Sequence, residues 1–211
     1  MTLDDILDKI PSLLALRSDV DSEQLKDAIR EAAIAMAMDN RLFTKEYRID
    51  LQCCTGDYLL EECEVQPFLI ESVCLYDCAL DQCGNNKPQC TQLSPQLGEW
   101  CQVYGTRFRF VPPSKIEIKP VDRLSGVLSV TAATHPNYDA CSIPDEYFTT
   151  YGRLFRKYIE AYVHQLSGKE RDSGLAQLRG QEAIRLGTRA FVTKYVSAPT
   201  LITTQRKKRF V

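Results

Sequence analysis

The sequence predicts an α+β protein in which helical segments at both ends enclose an antiparallel β region, with an extended tail after the last helix. Three observations carry this. Apolar side chains recur at helical spacing near both ends, the hydrophobic period drops to two between them, and a β-branched stretch ending in a basic cluster closes the chain. The implied organisation is N-terminal helices over 1–43, an inserted β lobe over 44–140, C-terminal helices over 141–196 and an extended tail over 197–211.

The first helix is marked by Leu3, Ile6, Leu7, Ile10, Leu13 and Leu14, with Thr2 as its cap and Asp4 and Asp5 in its first turn. Negative charge there suits the helix dipole. Pro11 lies inside the run, so a break is expected near Ile10. A second helix starts at Asp21 or Ser22, where Asp21 and Gln24 have capping-box spacing. Leu25, Ala28, Ile29, Ala32, Ala33 and Met36 form its apolar face, and Asp39-Asn40 ends it.

The period then becomes two. Tyr47, Ile49 and Leu51 alternate with Arg48 and Asp50, which reads as a half-buried strand. Residues 67–80 form a longer strand candidate, and residues 81–96 read as turns, with Gly84, Asn85, Asn86, Pro88 and Pro95. A hairpin over Trp100 to Phe110 is expected to turn at Gly105-Thr106. Ile116 and Ile118, then Leu128, Val130 and Ala132, mark two further strands.

Helical spacing returns after Pro144, with Ser142 as candidate cap and an aromatic-rich stripe from Tyr147 to Leu166. Ser167-Gly168 stops that helix. Asp172 or Ser173 opens the last one, which runs to about Val196. Small residues at Ala176, Gly180, Ala183, Gly187 and Ala190 line one of its faces, so another helix is expected to approach closely there, either within the chain or from a neighbouring copy; the former is favoured. Each interior glycine costs about 1 kcal/mol relative to alanine.

The net charge of −2 conceals an asymmetry. Residues 1–64 carry 15 acids and 7 bases, residues 65–150 carry 9 and 6, and residues 151–211 carry 4 and 13. Such a split suits head-to-tail contact between copies or a basic end meeting an acidic partner, unless the two ends neutralise each other within one fold. The acidic opening Met1-Thr2-Leu3-Asp4-Asp5 lacks the basic start of a secretory signal, and no apolar run approaches the roughly 18 residues of a membrane span. A cytoplasmic protein is expected. Its nine cysteines, an odd number, are then expected to be mostly reduced and packed as small apolar groups.

Catalytic chemistry finds little support. The chain has two histidines, His135 in a loop before Pro136 and His164 on the aromatic-rich helix, and neither sits in a recognisable motif. They read as a surface histidine and a packing histidine. No phosphate-binding glycine loop or nucleophile elbow is present. The expectation is a non-enzymatic protein without a cofactor. The cysteines offer the rival signal. Cys74, Cys78, Cys83, Cys90 and Cys101 fall close together, but without the tight Cys-x-x-Cys pair usual for structural zinc; packed free thiols are favoured, with a disulfide as a second reading, since Cys83 and Cys90 flank the polar loop and could close a hairpin. The alternative they support is a cytoplasmic zinc-dependent protein-binding module on the Cys74–Cys101 region, with Cys74, Cys78, Cys83 and Cys90 as ligands.

The tail, Thr200-Leu201-Ile202-Thr203-Thr204-Gln205 followed by Arg206-Lys207-Lys208-Arg209 and Phe210-Val211, admits three readings. It is a solvated end, a contact to nucleic-acid phosphates without sequence readout, or an arm that docks on a partner protein. The last is favoured, because Leu201, Ile202 and Phe210 can anchor it while the cations Arg206, Lys207, Lys208 and Arg209 steer it.

The order of these elements resembles the head-to-tail adaptor (head-completion, or connector) proteins of tailed bacteriophages, the short-tailed type above all. The matching features are the Leu3-Asp4-Asp5-Ile6-Leu7 helix, the Leu25-x-x-Ala28-Ile29 helix, and the β insertion containing Phe110-Val111-Pro112-Pro113-Ser114-Lys115-Ile116-Glu117-Ile118-Lys119-Pro120. Gly126-Val127-Leu128-Ser129-Val130 leading to Ile143-Pro144-Asp145, two final helices and a tail complete the pattern. The cysteine-rich stretch over 74–101 departs from it. The resemblance implies an antiparallel helical bundle with an inserted antiparallel β lobe and an extended C-terminal tail. It also implies a homo-oligomeric ring, dodecameric in such adaptors, that joins the portal protein to a tail or nozzle protein at the head–tail neck of the virion, after assembly in the host cytoplasm. Double-stranded DNA would pass through the ring without sequence-specific binding, and no membrane is involved.

Overall fold

The computed structural model describes residues 1–10, 20–52, 55–60, 64–76, 89–92, 100–103, 106–119, 126–166 and 172–196. Within these described residues, five helices and eight strands form an α+β fold: α1 (Leu3–Lys9), α2 (Ser22–Asn40), β1 (Thr44–Leu51), β2 (Asp57–Leu59), β3 (Val65–Tyr76), β4 (Gln89–Gln92), β5 (Cys101–Val103), β6 (Thr106–Val111), β7 (Lys115–Lys119), β8 (Gly126–Pro136), α3 (Glu146–Thr149), α4 (Gly152–Val163) and α5 (Ser173–Val196).

The helix starts follow from their capping residues. Thr2 and Asp5 form a reciprocal capping box on α1, and Ile10 ends the helix in an extended conformation just before Pro11. Asp21 caps α2 by accepting from the Glu23 amide. Arg41 closes α2 in the left-handed conformation (φ 49°), its N–H donating to Ala37 O at 2.9 Å. Asp172 accepts from the Leu175 amide at 2.9 Å and caps α5.

The β region is two four-stranded antiparallel sheets. Sheet I has the order β1-β8-β3-β4 and sheet II the order β2-β7-β6-β5. Their facing apolar side chains, among them Ile70, Val73, Phe108, Phe110, Ile116, Ile118, Leu128 and Val130, make one buried core. A second core joins Leu3, Ile6 and Leu7 of α1, the apolar face of α2, Phe43, Tyr147 and the α4 residues Leu154, Phe155, Tyr158 and Ile159. Phe43 stacks flat on Tyr147, with ring centroids 3.8 Å apart, where α2 hands over to β1. The central strand β8 is buried along most of its length, because it is covered by sheet II on one side and packs against α2 on the other.

Several expectations change. The segment expected as turns over 81–96 contains strand β4 on the edge of sheet I, and β2 is a further strand that the sequence pattern did not mark. Both are short and have no alternation to read. Strand β3 shifts register just after Pro67, which has no N–H for the ladder. The aromatic helix is broken: α3 ends at Thr149 and α4 begins at Gly152. Ser142 does not cap it but bridges to Thr2, and Asp145 turns to the Met1 amino group, 2.8 Å away. His135 is not on a surface loop. It lies on β8, buried, with Nδ1 2.7 Å from Pro136 O and its ring between Phe68 and Tyr138.

Candidate protein-interaction surfaces

The small-residue stripe of α5 fixes how that helix sits. Ala176 and Ala183 are buried, and Gly187 lies directly against Asn40 of α2. The close approach expected from the stripe is therefore made within the chain. Asn40 is buried and donates from Nδ2 to Met36 O (2.9 Å) and to the Tyr158 hydroxyl (3.0 Å), which in turn donates to Asp39 (2.9 Å). Burial, foremost, holds the Tyr158 hydroxyl protonated well above its ordinary range.

With that face used internally, the rest of the α5 surface turns outward. It exposes Leu178 (48%), Ile184 (63%) and Val192 (47%), together with Phe191, among Arg185, Thr188 and Arg189. An open groove of about 470 Å³ beside this face runs between Tyr151 and Leu154 on one side and Leu186 and Ala190 on the other, flanked by Arg153 and Arg189. The contrasting flank is α1 with the outer side of α2, where Asp4, Asp5, Asp8, Asp21, Glu23, Asp27, Glu31 and Asp39 are all exposed.

Among the described residues, most ion pairs of these charges form within each half. Lys26 pairs with Asp4 and Glu23, and Arg30 with Asp27, inside the N-terminal half. Lys157 and Arg179 pair with Glu160 and Glu182 inside the C-terminal half. Among the described ion pairs, the Met1 amino group with Asp145 joins the two halves.

The last turn of α5 is anchored at the seam between the helices and sheet I. Lys194 Nζ donates to Arg41 O (3.1 Å) and Leu42 O (2.8 Å), carbonyls left unpaired by the end of α2, whose C-terminal dipole favours a cation. Burial lowers the pKa of this ammonium, opposed by Glu71 and Glu146. The Tyr195 hydroxyl lies 2.8 Å from Arg41 O and 2.5 Å from Glu71 Oε1. Its single proton serves one of these acceptors at a time. Burial, followed by the contact with Glu71, keeps that hydroxyl protonated far into the alkaline range. Sequence reading missed this anchor, because it depends on where the end of α5 meets the end of α2.

The tail residues Leu201, Ile202, Arg206, Lys207, Lys208, Arg209 and Phe210 lie outside the described residues, as do Cys78 and Cys83. Cys74 is described, and it is disulfide-bonded rather than a free packed thiol. Zinc ligation requires the thiolate, so Cys74 is withdrawn from the candidate zinc set in this state. The register places it opposite Cys90 across β3 and β4. Among the described residues no group of three or more His, Cys, Asp or Glu side chains is arranged to hold a metal ion. No described helix is long and apolar enough to cross a membrane. No protein-family model matches the chain, and no curated protein matches it.

Proposed function

We propose that the protein is a structural adaptor that assembles head to tail into a closed ring, joins a phage portal to its tail at the neck of the virion, and extends the channel through which the genome passes. The observation that carries this reading is the pair of unlike flanks, an acidic one on α1 and α2 and an apolar, arginine-bearing one on α4 and α5. A closed ring needs a heterologous contact, in which one patch meets a different patch on the next copy. An acidic helix flank complements in charge a groove rimmed by Arg153 and Arg189. The portal and the tail or nozzle protein are the proposed partners, and a dodecamer is the proposed ring. DNA passes without sequence readout, and no reaction is catalysed.

The docking arm in this reading is the segment over 197–211, which departs from the Lys194–Tyr195 anchor. Deleting residues 197–211 leaves α5 and its anchor intact. The truncated protein is expected to remain folded and soluble but to stop joining portal-bearing heads, measured by co-sedimentation. Truncated protein that joins heads as well as the full chain does would overturn the assignment of the arm.

A further inference from the structure

Sheet II has an outer face whose charges the fold does not explain. Phe108, Phe110, Ile116 and Ile118 point into the core, so their neighbours on β6 and β7 point outward. On that outer side Arg107 and Lys119 stand directly opposite each other in the register. Like charges in directly opposed positions destabilise a sheet, and among the described residues neither has an acidic partner. The acids of the same face are engaged further along it: Glu117 with Arg109 (2.6 Å) and Lys115 (3.0 Å), and Asp57 with Lys115 (3.2 Å). The patch also holds an aromatic ring. Trp100, 36% exposed, has the Arg109 guanidinium 4.9 Å and the Lys119 ammonium 5.1 Å from its ring centroid. An acid at position 107 or 119 would serve the sheet better, so the pair, uncompensated among the described residues, points to a ligand that supplies the negative charge.

We infer that the outer face of sheet II binds single-stranded nucleic acid, with backbone phosphates on Arg107 and Lys119 and a base against the exposed part of the Trp100 ring. Cations that follow a phosphate backbone beside an aromatic platform are how sheets bind single strands without sequence preference. A duplex keeps its bases stacked on each other and offers none to the ring, and a carboxylate surface would have no use for the ring. The inference stands on the chemistry of this sheet and is independent of the ring reading.

Trp100 is the only tryptophan in the chain, so intrinsic fluorescence reports from the patch itself. Titrating the full chain with a single-stranded oligothymidine 20-mer at low salt is expected to quench that fluorescence saturably. Contact with two phosphates predicts a slope of about −1.4 in the logarithm of affinity against the logarithm of salt. Arg107→Glu with Lys119→Glu is expected to weaken binding by about tenfold or more while leaving the circular dichroism spectrum unchanged. Arg107→Glu alone pairs the new acid with Lys119 and serves as a variant in which folding is safe. Three outcomes would overturn the inference: no quenching, unchanged affinity in the charge-reversed variants, or equal affinity for a duplex of the same length. A fluorescence change that depends on protein concentration alone, without nucleic acid, would assign the patch to a second copy and also overturn it.

Discussion

Two glycines on the same face of α5 are expected to respond oppositely to the same substitution. A methyl group at Gly180 meets nothing within 4 Å, whereas one at Gly187 would run into Asn40, 2.6 Å from its Cγ and 3.0 Å from its Nδ2. Asn40 cannot step aside cheaply, being buried and bonded to Met36 O and the Tyr158 hydroxyl. Replacing a helical glycine by alanine gains about 1 kcal/mol of propensity. At Gly187 this is outweighed by overpacking of about 1–3 kcal/mol and by about 1–3 kcal/mol if a buried donor of Asn40 loses its acceptor. Gly187→Ala should therefore cost about 2–4 kcal/mol net, and Gly180→Ala should stabilise by about 1 kcal/mol. For a chain of this size 1 kcal/mol moves Tm by about 2–4 °C. Thermal melts followed at the helical dichroism band should show Gly187→Ala lower by about 5–15 °C and Gly180→Ala slightly higher. In the background of Asn40→Ala the penalty at Gly187 should largely vanish, a coupling of about 1–3 kcal/mol between neighbours. Equal tolerance of alanine at both sites, or no coupling to Asn40, refutes the packing argument.

Other consequences follow from the charge pairs and the cysteines. Hydrogen bonds from Arg179 and then Lys157 lower the folded-state pKa of Glu182, and similar contacts lower those of Glu46 and Glu117. Such groups stabilise the fold above the unfolded carboxylate pKa, and the contribution is lost as pH falls through the lowered folded value. Tm should therefore decline as acid is added below the carboxylate range, and Glu182→Gln should show a shallower decline; an unchanged acid limb would remove Glu182 from the account. Peptide mapping under non-reducing conditions is expected to find Cys74 joined to Cys90, its opposite number in the register; recovery of Cys74 as an alkylated free thiol would contradict the bridge.

Legibility in the sequence depended on whether a signal was local. Thr2, Asp21 and Asp172 could be read as caps because a cap bonds within three residues of itself. Strands β1, β6 and β7 were readable because each buries one face and alternates strictly or nearly so. The central strand β8 alternates poorly, being covered on both sides, and only its first half was marked. His135 was misplaced for the same reason: the strand continues through it to Pro136, and its partners Phe68 and Tyr138 come from elsewhere in the chain. The break between α3 and α4 was hidden because the aromatic stripe continues across it. The Arg107–Lys119 opposition and the Lys194 anchor depend on register and on helix-end geometry, which spacing along one segment does not encode.

The use of the small-residue stripe bears directly on which surface remains for a neighbour. A stripe lacking bulky side chains can receive a helix of the same chain or of another copy. Gly187 against Asn40 decides for the same chain, since the space a second copy would need there is already filled. Close packing of that face then leaves the apolar residues elsewhere on α5 turned outward. Ile184 is the most exposed of them, yet it sits in the middle of a 24-residue helix rather than at a fraying end. Apart from the Met1–Asp145 pair, the described ion pairs of Lys26, Arg30, Lys157 and Arg179 stay within their own halves, so Arg153 and Arg189 beside α4 and α5 are not spent on the acids of α1 and α2. An uncovered apolar stripe and an uncompensated charge difference on separate flanks are what one copy would offer the next in the proposed ring. Assembly through them should weaken with added salt, because the charged part of the contact is exposed and screened over about 8–10 Å, whereas an interface built on the apolar stripe alone would not.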